Sequence, residues 1–352
     1  MAKRLPNIGK TLKNELSKKM AIGEKKKPYL ESTVAERAKI KKELMDKGYS
    51  KEEAFNEAMK VNTYRDKIFS YSCYEGYEKA VEAFERFCEE TLGTKRVSTE
   101  EAKTLVQAFV DWGIAKGHSP HTIHIRLCGI CKALGLCISD YEKPSRHYAA
   151  AKRSVLPAKN DEYNSYREYK ALLLNSIIGL RRRELERLKV SDIVFVSPSY
   201  AEVHSVGKGG KKNVNIVSTE ESVSVLKRFV DMAKANGQEY VLTSEDMDND
   251  ADLHSERSYC ARMAYNRVYN EIKDNDERRN YYKNEIKKIF EKNNKVLREN
   301  LDNPFKCRGY NKELLLKNGK EVVFDRVALM YVSCAILNHY RSDTTVQHYL
   351  AK

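Results

Sequence analysis

The sequence lacks any apolar run long enough to span a bilayer, and its first sixteen residues contain no apolar core of the kind that a secretion signal needs. Charged residues make up 32% of the 352 positions, which is typical of a water-soluble chain. These two absences argue against a membrane protein and a secreted one. We therefore expect a cytoplasmic protein with no membrane partner.

The sequence also lacks a complete set of metal-binding cysteines and histidines. Its eight cysteines are expected to be reduced thiols in a cytosolic protein. Cys128 and Cys131 have the spacing of a zinc knuckle, but no second Cys or His pair stands at a matching distance. Because the two lie on an apolar helical pattern, we interpret them as buried structural thiols. The sequence therefore predicts no metal site.

What the chain has in excess is positive charge. It contains 64 basic and 50 acidic residues, which gives a net charge of +14. Half of that excess lies in residues 1–30, which carry nine Lys or Arg against Glu15 and Glu24. We expect this block to be a mobile basic arm that buries no core. The excess favours a polyanionic partner, with nucleic acid as the first candidate, although lysine-rich helices in a soluble protein are an alternative explanation.

Capping signals and apolar spacing divide the chain into four parts. Two capping boxes begin at Thr33 and Ser50 and predict a pair of short helices. Apolar residues at helical spacing then predict a compact helical domain, in which Ser119 caps a helix. The next stretch is basic and aperiodic, as is typical of a linker. The predicted parts are a basic N-terminal arm with a helical hairpin (1–62), a helical domain (63–137), a linker (138–164) and a second domain (165–352).

The second domain is predicted to be mainly α with a small antiparallel β-sheet. Gly179 ends its first helix, and Gly207–Gly210 form a tight turn between two strands, where glycine permits positive φ. A further hairpin is predicted at 313–324, around Asn318-Gly319. The predicted strands are 193–196, 201–206 and 213–217, and the later helices are about 219–235, 254–274, 280–299 and 324–337.

Several side chains of this domain could hold a phosphodiester and attack it without a metal, since phosphoryl transfer depends mainly on placed charge and a positioned nucleophile. Arg181 stands at a helix start, where Glu184 could hold it, and its planar fork suits two phosphate oxygens. His254 and Arg257 are three residues apart near a helix start, so they share one face. Each of these patterns is also common on ordinary protein surfaces.

The remaining candidates lie on a hairpin and near the last residue of the sequence. Lys208, at the hairpin tip, could act as a general acid toward the leaving oxygen. Lys211 and Lys212 are predicted to contact the DNA backbone. Tyr349 would be the nucleophile, because nearby cations and His339 would favour its deprotonation.

Taken in order, these stretches resemble the motifs of the tyrosine recombinase (phage integrase) family. Ser119-Pro120-His121-Thr122-Ile123 also resembles the turn that begins a DNA-contacting helix in the core-binding domain of that family. The resemblance covers roughly residues 63–352. Its motifs are Gly179-Leu180-Arg181-x-x-Glu184-Leu185, Gly207-Lys208-Gly209, His254-x-x-Arg257, and Leu337-Asn338-His339 followed by Thr344-Thr345 and Tyr349.

The resemblance implies a helical core-binding DNA domain joined to an α+β catalytic domain that exchanges DNA strands. Tyr349 would attack the scissile phosphate to form a 3′-phosphotyrosine and release a 5′-hydroxyl. No metal or other cofactor would be needed. The implied roles are clamping of the phosphate oxygens by Arg181 and Arg257, protonation of the leaving oxygen by Lys208, assistance to proton transfer by His254, a hydrogen bond to the phosphate from His339, and DNA contacts by His121, Thr122 and Arg126.

The implied partners are double-stranded DNA at specific recombination sites and three further copies of the chain, which would form a homo-tetramer on DNA. Accessory DNA-bending or excision factors are also possible partners. The implied setting is the bacterial cytoplasm, with integration or excision of a phage or mobile element as the biological role. Resolution of chromosome dimers, a type IB topoisomerase activity and a non-catalytic DNA-binding regulator are the alternatives.

Three features depart from the pattern of the family. Asn338 stands where the family usually has glycine, so we expect an altered turn before His339. Arg257 and His339 are separated by 81 residues, which predicts an insertion at about 275–325 that contacts DNA or a partner. Only three residues follow Tyr349, so we expect the insertion or the N-terminal helices to replace the tail that many members exchange between subunits.

Overall fold

The computed structural model describes residues 5–61, 66–150, 166–207 and 210–351. These residues form a mainly helical fold with a small antiparallel sheet, which confirms the predicted fold class. The chain divides into two compact units, residues 1–146 and 147–352. Within the described ranges, no helix combines the length and the apolar character needed to cross a membrane.

The N-terminal unit consists of helices whose starts largely follow the predicted caps. Ser50 and Glu53 form a reciprocal capping box, and the Ser119 side chain accepts from the Thr122 N–H, with proline next in the chain. Thr33 caps nothing, because it lies inside a 21-residue helix and its hydroxyl donates to the Tyr29 carbonyl. The helices are α1 (Ile8–Lys18), α2 (Lys26–Asp46), α3 (Lys51–Lys60), α4 (Tyr71–Leu92), α5 (Thr99–Thr104), α6 (Val106–Ala115) and α7 (Pro120–Leu134).

The first helix overturns the prediction of a mobile arm that buries no core. Ile8, Leu12 and Leu16 repeat every four residues, so they share one face of α1, and each is wholly buried in the core of the unit. Beside this face, Lys13 pairs with Glu82 of α4 at 2.9 Å. Lys10, Lys13 and Lys18 of this block therefore belong to a packed amphipathic helix, which the count of charges alone concealed.

The core of the N-terminal unit is built where α4 and α7 pack closely. Phe84 and Phe109 make an edge-to-face contact with centroids 5.2 Å apart. Gly129 lets the two helices approach, since a Cβ at that position would lie 2.6 Å from the Ala80 Cβ. Val81, Phe84 and Phe87, whose helical spacing predicted a buried face, lie in this core.

The C-terminal unit contains the sheet and the remaining helices. Strand β2 pairs with β1 on one side and β3 on the other, and Ala201 lies opposite Val217. The elements are α8 (Tyr166–Ile178), α9 (Arg182–Leu185), β1 (Ile193–Ser197), β2 (Tyr200–Val206), β3 (Lys212–Val217), α10 (Glu220–Ala235), α11 (Ser244–Met247), α12 (Leu253–Ile272), α13 (Asp276–Lys292), β4 (Phe305–Lys306), α14 (Gly309–Lys317), β5 (Val323–Phe324), α15 (Arg326–Tyr331), α16 (Ser342–Thr345) and π-helical turns at Val332–Ile336 and Val346–Leu350.

The segment predicted as an insertion, 275–325, packs into the main core of this unit. Tyr282, Ile286 and Phe290 of α13 are buried in the same cluster as Val346 and Tyr349. Its apolar residues therefore form part of the wall behind the last turn of the chain.

The prediction of a hairpin at 313–324 is wrong. Residues up to Lys317 form α14, and Gly319, with φ of +65°, follows the helix end instead of turning a hairpin. The short strand β5 pairs with β4, so Phe324 lies opposite Phe305. An Asn-Gly pair marks both kinds of turn, and the buried Leu315 favours the helix.

Candidate active site

Arg181 lies at the turn between α8 and α9. Gly179 ends α8 with φ of +70°, and a Cβ there would lie 3.2 Å from the Cys260 Sγ. The Arg181 backbone N–H donates to Glu184 Oε2 at 2.9 Å, and its Nη1 donates to Oε1 at 2.6 Å. Glu184 is buried, whereas the Arg181 side chain is 39% exposed. A fixed carboxylate thus holds a guanidinium that reaches solvent.

Arg257 is almost wholly buried, with 1% of its surface exposed. Its Nη1 donates to the Gly179 carbonyl, its Nη2 to the Leu337 carbonyl at 2.7 Å, and its Nε to the Tyr349 hydroxyl at 3.3 Å. The Glu184 carboxylate lies 3.8 Å from Nη1. A guanidinium has five N–H donors, and these bonds use three of them. Burial lowers the pKa of Arg257, while the neighbouring Tyr349 opposes that shift.

Tyr349 is buried on the π-helical turn Val346–Leu350. Its hydroxyl lies 3.1 Å from His339 Nε2, in addition to the bond from Arg257. The His254 ring, one turn before Arg257 on α12, stands 5.5 Å from the Tyr349 ring. Arg257 and His339 thus contact the phenol oxygen itself, and His254 contacts the ring of Tyr349.

His339 is held in its neutral form. Burial, together with the positive charges of Arg257, Arg181, His348 and Lys211, lowers the pKa of His339 to about 3. A neutral imidazole has one nitrogen free to accept a proton. If Nε2 carries the lone pair, it can take the proton of the Tyr349 hydroxyl.

A turn with two left-handed residues presents His339. Asn338 has φ of +54° and Tyr340 has φ of +59°. Asparagine tolerates this conformation better than most residues, so Asn338 can occupy a left-handed position that glycine would also suit. The Asn338 amide also donates to Asn215 Oδ1 at 2.8 Å, and the His339 N–H donates to the Ser333 carbonyl at 2.8 Å. The turn is therefore fixed from both the sheet and the preceding helix.

Two buried asparagines that the sequence analysis did not single out hold the framework of the site. Asn175 donates to the Leu253 carbonyl at 2.7 Å and accepts from the Leu180 N–H at 2.8 Å, so it joins the start of α12 to the Arg181 turn. Asn215 donates to the carbonyls of Ile178 and Ile336. The one available signal was Asn213-x-Asn215 in a strand, since two amides on one face indicate a polar function there.

The β2–β3 hairpin begins beside the site. Lys208 lies outside the described residues. The preceding Gly207 is so close to Glu184 that a Cβ would lie 3.1 Å from Oε1. Lys211 is exposed, yet its ammonium stands 4.7 Å from the centroid of the Tyr340 ring, and Lys212 is exposed at the start of β3.

The segment 275–325 also contributes to the site framework. Glu299 accepts from the Ser342 N–H at 3.1 Å, at the first turn of α16, and its other oxygen pairs with Arg326. The Phe290 ring packs edge-on against Tyr340, with centroids 5.2 Å apart. Sequence reasoning missed both contacts because they join residues far apart in the chain.

The other predicted DNA contacts lie on α7 of the N-terminal unit. His121 and Thr122 are half-buried in its first turn, and Thr122 is tied to Ser119. Arg126 is half-buried, with Nη1 2.9 Å from the His118 Nδ1. Burial and the charge of Arg86 lower the pKa of Arg126.

In the part of the chain that the structure describes, no three His, Cys, Asp or Glu side chains are grouped so that they could hold a metal ion.

No protein-family model matches the chain, and no curated protein matches it. It is similar to two solved structures of the XerH site-specific recombinase. One, bound to palindromic difH substrate in a post-cleavage complex, has 10% identity and a TM-score of 0.41, over 99% of this chain and 94% of that one. The other is bound to difH substrate in a pre-cleavage complex and has 14% identity and a TM-score of 0.41. The match covers 99% of this chain and 95% of that one.

Proposed function

We propose that the protein breaks and rejoins DNA strands through a covalent bond between Tyr349 and a 3′-phosphate. The observation that carries the proposal is the convergence on one phenol oxygen of a buried guanidinium, Arg257, and a neutral imidazole, His339. A second guanidinium, Arg181, shares the Glu184 carboxylate with Arg257. A nucleophile, a proton acceptor and two oxyanion-binding cations are what metal-free phosphoryl transfer requires.

In the proposed step, the Tyr349 oxygen attacks phosphorus while the bond from phosphorus to the 5′-oxygen breaks. The phenol proton passes to His339, because the negative charge of a phosphate bound beside the imidazole raises its pKa above the value in the empty site. The guanidinium groups of Arg257 and Arg181 bind the non-bridging oxygens and stabilise the charge of the transition state. Lys208 would give its proton to the leaving 5′-oxygen, and His254 would support the proton transfers. Return of a 5′-hydroxyl to the phosphotyrosine reverses the step and conserves the bond energy.

The biological role that we propose is site-specific recombination, with integration or excision of a phage or mobile element. The support for this role is the order of the sequence motifs, which resembles that of the phage integrase family. A homo-tetramer on two double-stranded DNA sites belongs to the same proposal, as do contacts to the DNA from Lys211, Lys212, His121, Thr122 and Arg126. A cytoplasmic location is also proposed.

Covalent trapping tests the chemistry. The protein is mixed with fragmented DNA from its source in the presence of EDTA, denatured, and the DNA that stays attached is recovered and sequenced. We expect an adduct with the wild type and with Tyr340→Phe, a matched control for loss of a nearby phenol, and none with Tyr349→Phe. The released end should be a 5′-hydroxyl that polynucleotide kinase labels directly.

Other outcomes would overturn parts of the proposal. An adduct that survives in Tyr349→Phe would show a different nucleophile. Relaxation of a supercoiled plasmid without a second site would favour a topoisomerase. Tight DNA binding with no adduct in any variant would favour a DNA-binding regulator.

A further inference from the structure

Tyr340 stands between the hairpin and the segment 275–325. It directly follows His339 and has a left-handed backbone conformation, which turns its side chain away from the course of a regular helix or strand. The ring is half-buried against the core, with the Lys211 ammonium 4.7 Å from its centroid and the Phe290 ring 5.2 Å away at 80°. The ring therefore has a cation on one side and an aromatic support on another.

The cation needs such a partner. Protein atoms near the Lys211 ammonium displace part of its water, and Lys295 and Arg181 repel its charge. Both effects lower the pKa of Lys211. An aromatic face attracts an ammonium within about 6 Å of its centroid, and the attraction is stronger where water is excluded. The contact with Tyr340 thus opposes the repulsion that would move the end of the hairpin away from Arg181.

Helix α13 fixes this ring relative to the sheet. Phe290 is buried near the C-terminal end of α13, and Lys292, two residues on, pairs with Glu202 of β2 at 3.3 Å. The Lys295 N–H donates to the Phe290 carbonyl at 2.8 Å, which closes the helix end beside the same cluster. The helix thus contacts both the strand that leads into the hairpin and the ring on which the hairpin rests.

We propose that Tyr340 is a positioning residue whose ring holds the β2–β3 hairpin at the site through Lys211, and that α13 supports this ring through Phe290. The inference rests on the proposed function, in which the hairpin delivers a proton to the leaving oxygen. The ring makes the contact, so phenylalanine at this position should serve as well as tyrosine. The segment 275–325 then acts on catalysis through the hairpin, in addition to any contact of its own with DNA.

Trypsin cleavage after Lys211 and Lys212 tests the docking without DNA. We expect Tyr340→Leu to be cut there several-fold faster than the wild type, and Tyr340→Phe at the wild-type rate, with fragments identified by mass spectrometry. Equal melting temperatures of the two variants would show that a difference in cleavage comes from local opening of the hairpin and not from global unfolding. Equal cleavage of Tyr340→Leu and Tyr340→Phe would overturn the docking.

A bridging-sulfur substrate tests the link to catalysis. The substrate is a duplex of the trapped sequence in which sulfur replaces the 5′-bridging oxygen at the scissile phosphate, because a thiolate leaves without receiving a proton. General acids contribute about 100- to 10,000-fold, so partial misplacement of the hairpin should slow cleavage of ordinary DNA by Tyr340→Leu at least about tenfold. On the sulfur substrate the variant should match the wild type within about twofold, as should Lys208→Ala, the reference for a missing proton donor.

A defect of Tyr340→Leu that persists on the sulfur substrate would show that the residue acts on something other than leaving-group protonation. Normal cleavage of ordinary DNA by Tyr340→Leu would also overturn the inference. If the wild type forms no adduct on either substrate, the proposed function itself fails, and the proteolysis result then stands alone as a test of the docking.

Discussion

His339 should make the C-terminal unit sensitive to mild acid. Its pKa lies near 3 in the folded chain, against an ordinary value of 6.5, because it is buried among Arg257, Arg181, His348 and Lys211. The unfolded chain therefore binds a proton that the folded chain refuses. As pH falls through 6.5, protonation stabilises the unfolded state and the free energy of unfolding decreases.

The magnitude follows from the two pKa values. At pH 7 neither state is much protonated, so the effect is small. At pH 5 the unfolded state gains about 2 kcal/mol from protonation of this side chain, while the folded state gains almost nothing. The figure depends mainly on the ordinary pKa of 6.5, since any folded value well below 5 gives nearly the same result.

Urea unfolding followed by far-ultraviolet circular dichroism at pH 7 and pH 5 measures the effect. The control is His339→Gln, which keeps polarity and removes the titration. We expect the wild type to lose about 2 kcal/mol more than the variant between the two pH values. His118 and His124, whose pKa values are also lowered by burial, are common to both proteins and cancel in the comparison. Parallel losses in the two proteins would refute the assignment of a buried neutral imidazole.

Three further substitutions test the framework. Leu12→Ala should lower the free energy of unfolding of the N-terminal unit by about 3 kcal/mol, because the side chain is wholly buried; fluorescence of Trp112, the single tryptophan, during urea unfolding measures it, and no change would restore the mobile arm. Asn215→Leu should destabilise the C-terminal unit by about 2 kcal/mol, since buried carbonyls lose their donor, and circular dichroism would show this. Glu184→Gln should reduce the yield of covalent adduct about tenfold, because an amide cannot accept bonds at both atoms to hold Arg181; unchanged yield would contradict that role.

Local signals in the sequence predicted what local physics determines. The capping residues Ser50 and Ser119, and the alternating strands around Gly207, appear as predicted because each depends on a few neighbouring residues. The same local reasoning failed for α1, where counting charges hid an apolar face, and for Asn318-Gly319, which serves helix ends and hairpins alike.

Some residues of the candidate site could be chosen from the sequence, and others could be found only in the folded structure. Residue types with distinctive chemistry, such as Arg257 and Tyr349, could be chosen from sequence spacing. Asn175, Asn215 and Glu299 could not, because their function is to join segments that only the fold brings together. Apart from the Asn213-x-Asn215 pair in a strand, nothing in the sequence distinguishes their side chains from those of surface residues.

The hydrogen bonds of Arg257 couple the proposed reactivity of the site to the folding of the C-terminal unit. One side chain fastens the carbonyls of Gly179 and Leu337 and touches the Tyr349 hydroxyl, so three distant parts of the chain meet at one guanidinium. A molecule in which any of these parts has come loose has also dispersed the groups that would cut a strand. In the proposed chemistry, local unfolding of the C-terminal unit at any of these three parts therefore also removes reactivity.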